Sequence, residues 1–190
     1  MMMDDKAAAR DAARARRSAI SALERDGAGA KAAVQFLATI PLAPDTIIAA
    51  YWPLGDEFDC RPLMYALLNH GHRLALPVVL GRHQPLCFRA WHRGDTMAKS
   101  SFGVFEPTEA AEPLNPAVVM APFLACNAQG FRLGYGGGYY DRTLRSLREE
   151  VPGFLAVGMG FAGQVVAALP HDNNDEPLDW LVTEQDVTQF

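Results

Sequence analysis

The chain has 190 residues, of which 49% are hydrophobic and 21% are charged, and its formal net charge is −5. This size and composition are typical of one globular domain with a sizeable core, and the acidic balance argues against a broad nucleic-acid surface. No apolar run approaches the ~20 residues that a membrane helix needs, and three scattered cysteines are typical of free thiols in a reducing compartment. We therefore expect a single domain over residues 1–190 that acts as a cytoplasmic monomer, with no nucleic-acid or membrane partner.

The first third of the chain alternates between helical and extended patterns. The Ala- and Arg-rich segment from roughly Asp5 to Arg25 lacks Pro and Gly and is predicted to be one helix. The glycines of "GAG" are expected to break it before a second helix, "AKAAVQFLATI". The apolar, β-branched run "TIIAAY" predicts a strand that is buried on both faces. A further helix is predicted over "DCRPLMYALLNHG", with Asp59 as its N-cap and Gly71 as its stop.

The rest of the chain continues the same alternation. Strands are predicted over "HRLALPVVL" and "PLCFRAWH", and the polar stretch 93–116 is expected to be a long covering or functional loop. The strand "AVVMAP", the helix "YYDRTLRSLREE", the strand "FLAVGMG" and a short strand in "LDWLVTE" follow. This order predicts an α/β fold with a mostly parallel central sheet flanked by helices, preceded by an N-terminal helical segment.

The segment "QGFRLGYGGGYYDRTL" lies between a predicted strand and a predicted helix. Within it, four of the five residues 134–138 are glycine. Ligands of α/β sheets bind at such strand ends, where glycine N–H groups and a helix N-terminus favour phosphate, and Arg132 would add a planar donor. The segment is neither a Walker A loop nor a G-x-G-x-x-G fingerprint, because no G-K-[ST] follows and Tyr139 replaces the third glycine. The alternative is an ordinary glycine turn.

Several segments together resemble one enzyme family. "GFRLGYGGGYYDRTL" is similar to the glycine-rich segment of the 5-formyltetrahydrofolate cyclo-ligases, which are also called methenyltetrahydrofolate synthetases. "KAAAR", "YWPLGDEFDC", "LALPVV", "FGVFEP" and "LPHDNNDEPLDWLVTE" resemble other segments of that family in order and spacing. The resemblance covers nearly the whole chain.

The resemblance implies where ATP and the folate would bind. Arg132, Lys6 and Arg10 would contact the phosphates and act in catalysis. Without the resemblance, Lys6 and Arg10 could equally belong to a solvated helix face. Exposure to solvent is the expectation for the other arginines of this helix, Arg14, Arg16 and Arg17. The implied ATP-binding residues are Lys6, Arg10, Arg132, Leu133, Gly134, Tyr135, Gly136, Gly137, Gly138, Tyr139 and Tyr140. The implied folate-binding residues are Trp52, Glu57, Tyr135, Gly136, Gly137, Gly138 and Tyr139, with Phe102 as a weaker candidate.

Two carboxylates are candidates for holding Mg²⁺, the expected cofactor, because this ion prefers one or two carboxylates together with phosphate oxygens and water. Asp141 directly follows the glycines, although it could simply be a favourable charge in the first turn of a helix. The family pattern selects Asp175 over its neighbours Asp172 and Asp179.

The expected reaction is the ATP- and Mg²⁺-dependent conversion of 5-formyltetrahydrofolate to 5,10-methenyltetrahydrofolate. The segment "PFLACN" departs from the family, which usually has a Gly after the proline and a Phe-Asp pair; here Phe123, Cys126 and Asn127 stand at those places. The departure leaves two alternatives: a relative that binds nucleotide or folate without turnover, and an ATP-dependent enzyme that acts on another amide-like substrate.

Overall fold

The protein folds around a parallel sheet, as seen in a computed structural model that describes residues 2–100 and 103–190, with side chains from residue 5 onward. The strands of the described residues are β1 (Ile47–Ala49), β2 (Arg73–Val78), β3 (Cys87–Trp91), β4 (Met97–Lys99), β5 (Phe105–Pro107), β6 (Val118–Pro122), β7 (Ala125–Asn127), β8 (Arg132–Leu133), β9 (Leu155–Met159), β10 (Val165–Val166), β11 (Trp180–Val182) and β12 (Val187–Gln189). The helices are α1 (Met2–Ser18), α2 (Ala22–Arg25), α3 (Ala28–Thr39), α4 (Arg61–Asn69) and α5 (Tyr139–Glu150).

Seven strands form the central sheet in the order β12-β11-β9-β6-β1-β2-β3. The five inner strands are parallel, whereas β3 and β12 run antiparallel along the two edges. Parallel strands are buried on both faces, which explains the nearly continuous apolar runs that predicted them. The predicted α/β fold with a mostly parallel sheet is confirmed.

Helices cover both faces of this sheet. Successive side chains of a strand point to opposite faces, so Ile48 packs with α3 and α4 on one side. Ala49 belongs to the opposite cluster, which includes Leu144 and Leu147 of α5. This three-layer arrangement leaves the carboxyl ends of the parallel strands open to a ligand. None of the helices in the described ranges is both long and apolar enough to cross a membrane.

The N-terminal segment is not the single helix predicted over Asp5 to Arg25. It breaks after Ser18, because the Ser21 hydroxyl accepts a hydrogen bond from the Glu24 N–H and starts α2 with a capping box. The "GAG" segment is a helix start rather than only a break: Gly27 is the left-handed cap of α3 and Gly29 lies inside the helix. A Cβ at Gly29 would come within 2.2 Å of the Asp59 carbonyl oxygen, so only glycine allows this helix contact.

The start of α4 also differs in detail from the expectation. Cys60 is the N-cap, not Asp59, although an Asp59 side-chain oxygen does accept a hydrogen bond from the Arg61 N–H at 3.0 Å. Gly71 ends this region in a left-handed conformation (φ 87°), as expected for a helix stop.

Two segments expected to be irregular contain short strands. The stretch 93–116 includes the hairpin of β4 and β5, and the link between β6 and the glycines includes the antiparallel pair of β7 and β8. Strand β10 joins that pair to form a three-stranded sheet. Ala13 of α1 is buried against this small sheet together with Leu124 and Leu133, which places α1 beside the glycine-rich segment.

Candidate active site

A cavity of about 660 Å³ lies at the carboxyl ends of β1, β2 and β6, within the usual size range of small-molecule sites. It gathers side chains that lie as far apart in sequence as Lys6 and Asp175. The predicted site residues that line it are Lys6, Arg10, Trp52, Glu57, Arg132, Leu133, Gly134, Tyr135, Gly136, Gly137, Gly138, Tyr139, Tyr140, Asp141 and Asp175. The candidate Phe102 lies outside the described residues.

The glycine loop, residues 134–138, leads directly into α5, and its backbone requires glycine at several positions. Gly136 and Gly138 have φ angles of 99° and 65°, and Gly138 is the N-cap of α5. A Cβ at Gly137 would lie 2.8 Å from the Tyr139 ring. The loop therefore brings the unbonded N–H groups of a helix N-terminus to the cavity wall, an arrangement that favours anions.

Helix α1 contributes two cations to the cavity. Arg10 Nε donates to the Gly134 carbonyl oxygen at 3.0 Å, which places this guanidinium against the glycine loop. Lys6 Nζ donates to Asp172 Oδ2 at 2.8 Å and to Asp175 Oδ2 at 2.6 Å. Burial alone would lower the pKa of Lys6, but the two carboxylates outweigh it and the pKa is raised. The same contact lowers the pKa of Asp172 to about 2.

Arg132 and Asp141 contact each other directly. Arg132 Nη2 donates to Asp141 Oδ1 at 2.9 Å and Nη1 donates to the Glu176 carbonyl oxygen at 2.7 Å. Only 3% of the Arg132 side chain is exposed, and the Glu176 N–H donates to the same Asp141 oxygen at 3.2 Å. The predicted phosphate donor and the predicted metal ligand thus form one ion pair, which fixes the first turn of α5 beside the loop that follows Asp172.

The two predicted metal ligands both line the cavity, and carboxylate oxygens suit a magnesium ion that is shared with phosphate. The hydrogen bonds described for these residues use Oδ1 of Asp141 and Oδ2 of Asp175, and the latter also accepts one from the Asp172 N–H. No group of three or more His, Cys, Asp or Glu side chains suited to a metal occurs within residues 2–100 and 103–190. A metal held by Asp141 and Asp175 would draw its other ligands from phosphate and water, as Mg²⁺ prefers.

The cavity wall also presents the Glu57 carboxylate, which contacts the glycine loop. Its Oε1 accepts a hydrogen bond from the Tyr135 hydroxyl at 2.7 Å and its Oε2 accepts one from the Leu54 N–H at 2.8 Å. Burial raises the pKa of Glu57, and these hydrogen bonds oppose the rise. Trp52 forms the neighbouring apolar wall and packs edge-on against Trp91, with ring centroids 5.8 Å apart, so it serves both the core and the cavity.

The prediction that Arg17 faces solvent is wrong. Its side chain is only 7% exposed and pairs with Asp56 at 2.6 Å. On a helix with about 100° per residue, a residue eleven positions after Lys6 lies only about 20° from the same face, whereas Arg14 lies about 80° away. Helical spacing therefore could have placed Arg17 with Lys6, while Arg14 and Arg16 are exposed as expected.

Sequence reasoning missed several other residues of the cavity wall. They include the α5 arginines Arg142 and Arg145, the carboxylate Glu106 on β5, and Asn174 in the loop before β11. Asp172, which the family pattern ranked below Asp175, lies in the wall as well. Arg142 and Arg145 follow the glycine loop by about one and two helical turns, so the spacing of α5 pointed to them. Glu106 lies in the segment "FGVFEP", which resembles the family, but it was given no role because this stretch was expected to be irregular.

The departures in "PFLACN" lie behind the site and not in its wall. Asn127 is 1% exposed, and its Oδ1 accepts hydrogen bonds from the N–H groups of Gln129 and Phe131, which closes the turn between β7 and β8. Cys126 is fully buried, and burial raises its pKa to about 12. Phe123 packs against the backbone of Gly160. These three residues therefore belong to the core and to the turn between β7 and β8, and not to the cavity wall.

Together the fold and the site define an α/β protein with a ligand cavity whose glycine loop, cations and paired carboxylates suit a phosphorylated ligand. Residues 2–184 match the model of the 5-formyltetrahydrofolate cyclo-ligase family, and the chain belongs to that family of enzymes.

Individual relatives agree over most of the chain. The 5-formyltetrahydrofolate cyclo-ligase of Escherichia coli K12 is 29% identical over 185 residues, which cover 93% of this chain and 99% of the relative. The Haemophilus influenzae enzyme of the same name is 33% identical over 138 residues, or 69% and 72% of the two chains. The solved structure of Aquifex aeolicus 5,10-methenyltetrahydrofolate synthetase superposes with a TM-score of 0.79 at 32% identity, covering 97% and 92% of the two chains.

Proposed function

We propose that this protein converts 5-formyltetrahydrofolate to 5,10-methenyltetrahydrofolate and consumes ATP, releasing ADP and phosphate. The observation that carries the proposal is the cavity itself, whose wall combines the glycine loop and its neighbouring cations with the half-buried Glu57 carboxylate. Both ligands can therefore occupy one site. Membership of the cyclo-ligase family supports the same reaction.

The proposed chemistry has two steps that share one phosphoryl group. The formyl oxygen of the substrate attacks the γ-phosphorus of ATP, the bond to the β-phosphate breaks, and ADP leaves with an iminophosphate remaining on the folate. Nitrogen N10 then attacks the activated carbon, its proton is lost, and inorganic phosphate leaves as the ring closes. No side chain of the protein has to act as a nucleophile, so positioning and charge stabilisation supply the catalysis.

The side chains have separate roles in this scheme. Lys6, Arg10 and the N–H groups of the glycine loop hold the triphosphate and stabilise the charge that develops on the transferred group. Arg132 orients Asp141 and the loop around it, in addition to its predicted phosphate contact. Glu57 accepts two adjacent N–H donors of the pterin ring, and Trp52 offers a flat face to that ring.

Asp141 and Asp175 would hold Mg²⁺, which neutralises phosphate charge when it is bound with ATP. Lys6 contacts Asp175 at 2.6 Å, so the same cation would position the carboxylate and the phosphates. We further propose that the chain works as one domain and one copy in the cytoplasm, since one chain supplies all parts of the cavity and its three cysteines are free.

The test is a turnover assay with the purified protein, Mg-ATP and 5-formyltetrahydrofolate, followed by the near-ultraviolet absorbance of the methenyl product. We expect product formation that requires both substrates, and a Glu57→Gln variant, which keeps the shape and removes the charge, should raise the KM for the folate. Thermal stabilisation by both ligands without product would favour a binding protein. ADP release only with another amide-like compound would favour a different substrate.

A further inference from the structure

A continuous chain of hydrogen bonds links the last turn of α1 to the Glu57 carboxylate. Arg17 Nη1 donates to the Tyr135 hydroxyl at 2.9 Å, and that hydroxyl donates to Glu57 Oε1 at 2.7 Å. The other end of the guanidinium donates to Asp56 Oδ1 at 2.6 Å, in the same loop as Glu57. The reaction scheme above gives Arg17 no role, although its side chain is almost fully buried.

The chemistry of the three groups fixes the direction of this chain. A guanidinium carries donors only, so the Tyr135 oxygen must accept from Arg17 and its single proton must point to Glu57. Glu57 therefore acts as an acceptor at Oε1, while the Leu54 N–H holds Oε2 at 2.8 Å. With both oxygens held, the plane of the carboxylate is fixed, and each oxygen keeps further lone-pair capacity for a ligand.

We propose that Arg17 is a positioning residue for folate binding, which acts through the Tyr135 hydroxyl to hold the Glu57 carboxylate in the orientation that accepts the pterin N–H donors. The inference rests on the proposed function, and it extends the role of α1. Lys6 and Arg10 of this helix serve the phosphate end of the cavity, whereas Arg17, two to three turns later, serves the folate end. One helix thus contributes to both halves of the site.

The contact of α1 with consecutive loop residues supports this role. Arg10 binds the carbonyl oxygen of Gly134 and Arg17 binds the hydroxyl of the next residue, Tyr135. About half of the Tyr135 surface is exposed, so packing alone does not hold its ring. The two arginines therefore determine where the tyrosine hydroxyl lies.

The test compares the wild type with Arg17→Met, Tyr135→Phe and the double variant in the turnover assay. Loss of one hydrogen bond to a charged group predicts that each single variant raises the KM for 5-formyltetrahydrofolate by about tenfold. The double variant should be no worse than either single one, because the two residues act in series. In Arg17→Met the KM for Mg-ATP should change by less than about threefold, because Arg17 is not among the residues proposed to contact the phosphates.

A matched control is available one turn earlier on the same helix. Arg14 is exposed and pairs only with Asp11 among the contacts described for it, at 2.8 Å, so Arg14→Met should leave both KM values unchanged. A folate KM that stays at the wild-type value in Arg17→Met and Tyr135→Phe would overturn the inference, as would additive effects in the double variant. If Arg17→Met does not fold, Tyr135→Phe decides alone.

The failure of the proposed function gives a different result. A wild-type protein that forms no methenyl product from 5-formyltetrahydrofolate and Mg-ATP overturns the function, and the inference with it. Product from the wild type together with an unchanged folate KM in the variants overturns only the role of Arg17.

Discussion

Gly136 offers a direct test of how the glycine loop meets the first helix. Its φ angle is 99°, which side-chain-bearing residues rarely adopt, and a Cβ there would lie 3.2 Å from Cζ of Arg10. A Gly136→Ala variant would therefore combine backbone strain with displacement of the Arg10 guanidinium by a few tenths of an ångström. The first effect lowers stability and the second disturbs the proposed phosphate site.

The two effects have different magnitudes and different readouts. Backbone strain at such a φ angle costs about 1–3 kcal/mol, which lowers the Tm of a protein of this size by about 2–4 °C per kcal/mol. A charge-assisted hydrogen bond to a phosphate oxygen is worth about 1.5–3 kcal/mol, equivalent to a change of roughly 10- to 150-fold in KM. Because the required shift of Arg10 is small, we expect the lower end, a rise of about tenfold in the KM for Mg-ATP.

Gly94 provides a matched control for the backbone strain. Its φ angle is 95°, and a Cβ there meets no atom within 4 Å. Gly94→Ala should lower the Tm about as much as Gly136→Ala and leave both KM values unchanged. Thermal unfolding and initial-rate measurements on the two variants give both quantities.

The result that would refute this reasoning is a Gly136→Ala variant with a lowered Tm and a wild-type KM for Mg-ATP. Such a variant would show that the position of Arg10 does not matter for the nucleotide. An equal rise of KM in Gly94→Ala would refute it differently, since the effect would then come from general destabilisation.

Three further predictions follow from the charged groups of the site. Asp141→Asn should keep the fold and lower kcat by at least about 100-fold at ordinary Mg²⁺ concentrations, an effect of the size seen for single electrostatic groups; near-normal activity would remove Asp141 from the metal site. Asp172→Asn should lower the Tm at pH 7, because the pKa of Asp172 is depressed to about 2 by Lys6 and its contribution is present above pH 3.8. The difference from the wild type should shrink as the pH falls from 3.8 towards 2, and a difference independent of pH would contradict the pairing. Folate binding by ionised Glu57 should weaken as the pH falls through the raised pKa of this carboxylate, which sets an acid limb in kcat/KM. The hydrogen bond from Tyr135 lowers that pKa, so its removal in Tyr135→Phe should raise the pKa and move the acid limb to higher pH. An acid limb that does not move would contradict this role of the hydrogen bond.

The parallel sheet and the glycine loop were predictable because their signals are local. β-Branched apolar runs specify strands buried on both faces, and the cluster of glycines specifies a backbone that only glycine can adopt. The helix that begins at Tyr139 was predicted with both of its ends. The short strands β4, β5, β7 and β8 were not, because two or three residues carry no periodicity and form only against their partners.

The pairing of charges across the site could not be read from the sequence. Lys6 contacts Asp172 and Asp175 across more than 160 positions, and Arg132 binds Asp141 although the two were assigned separate ligands. Such contacts follow from where the loop before β11 lies relative to α1. Family resemblance identified the residues, but the fold determines which of them touch.

The balance of charge along the cavity wall would allow these ion pairs to open for a nucleotide. Among the described residues, five cationic side chains and five carboxylates line the cavity. The cations are Lys6, Arg10, Arg132, Arg142 and Arg145, and the carboxylates are Glu57, Glu106, Asp141, Asp172 and Asp175. The wall therefore has no formal net charge, so binding of Mg-ATP would replace ion pairs within the wall by ion pairs with the ligand. Exchange of partners avoids the cost of burying unpaired charge, which favours a complete Mg-ATP complex over free ATP.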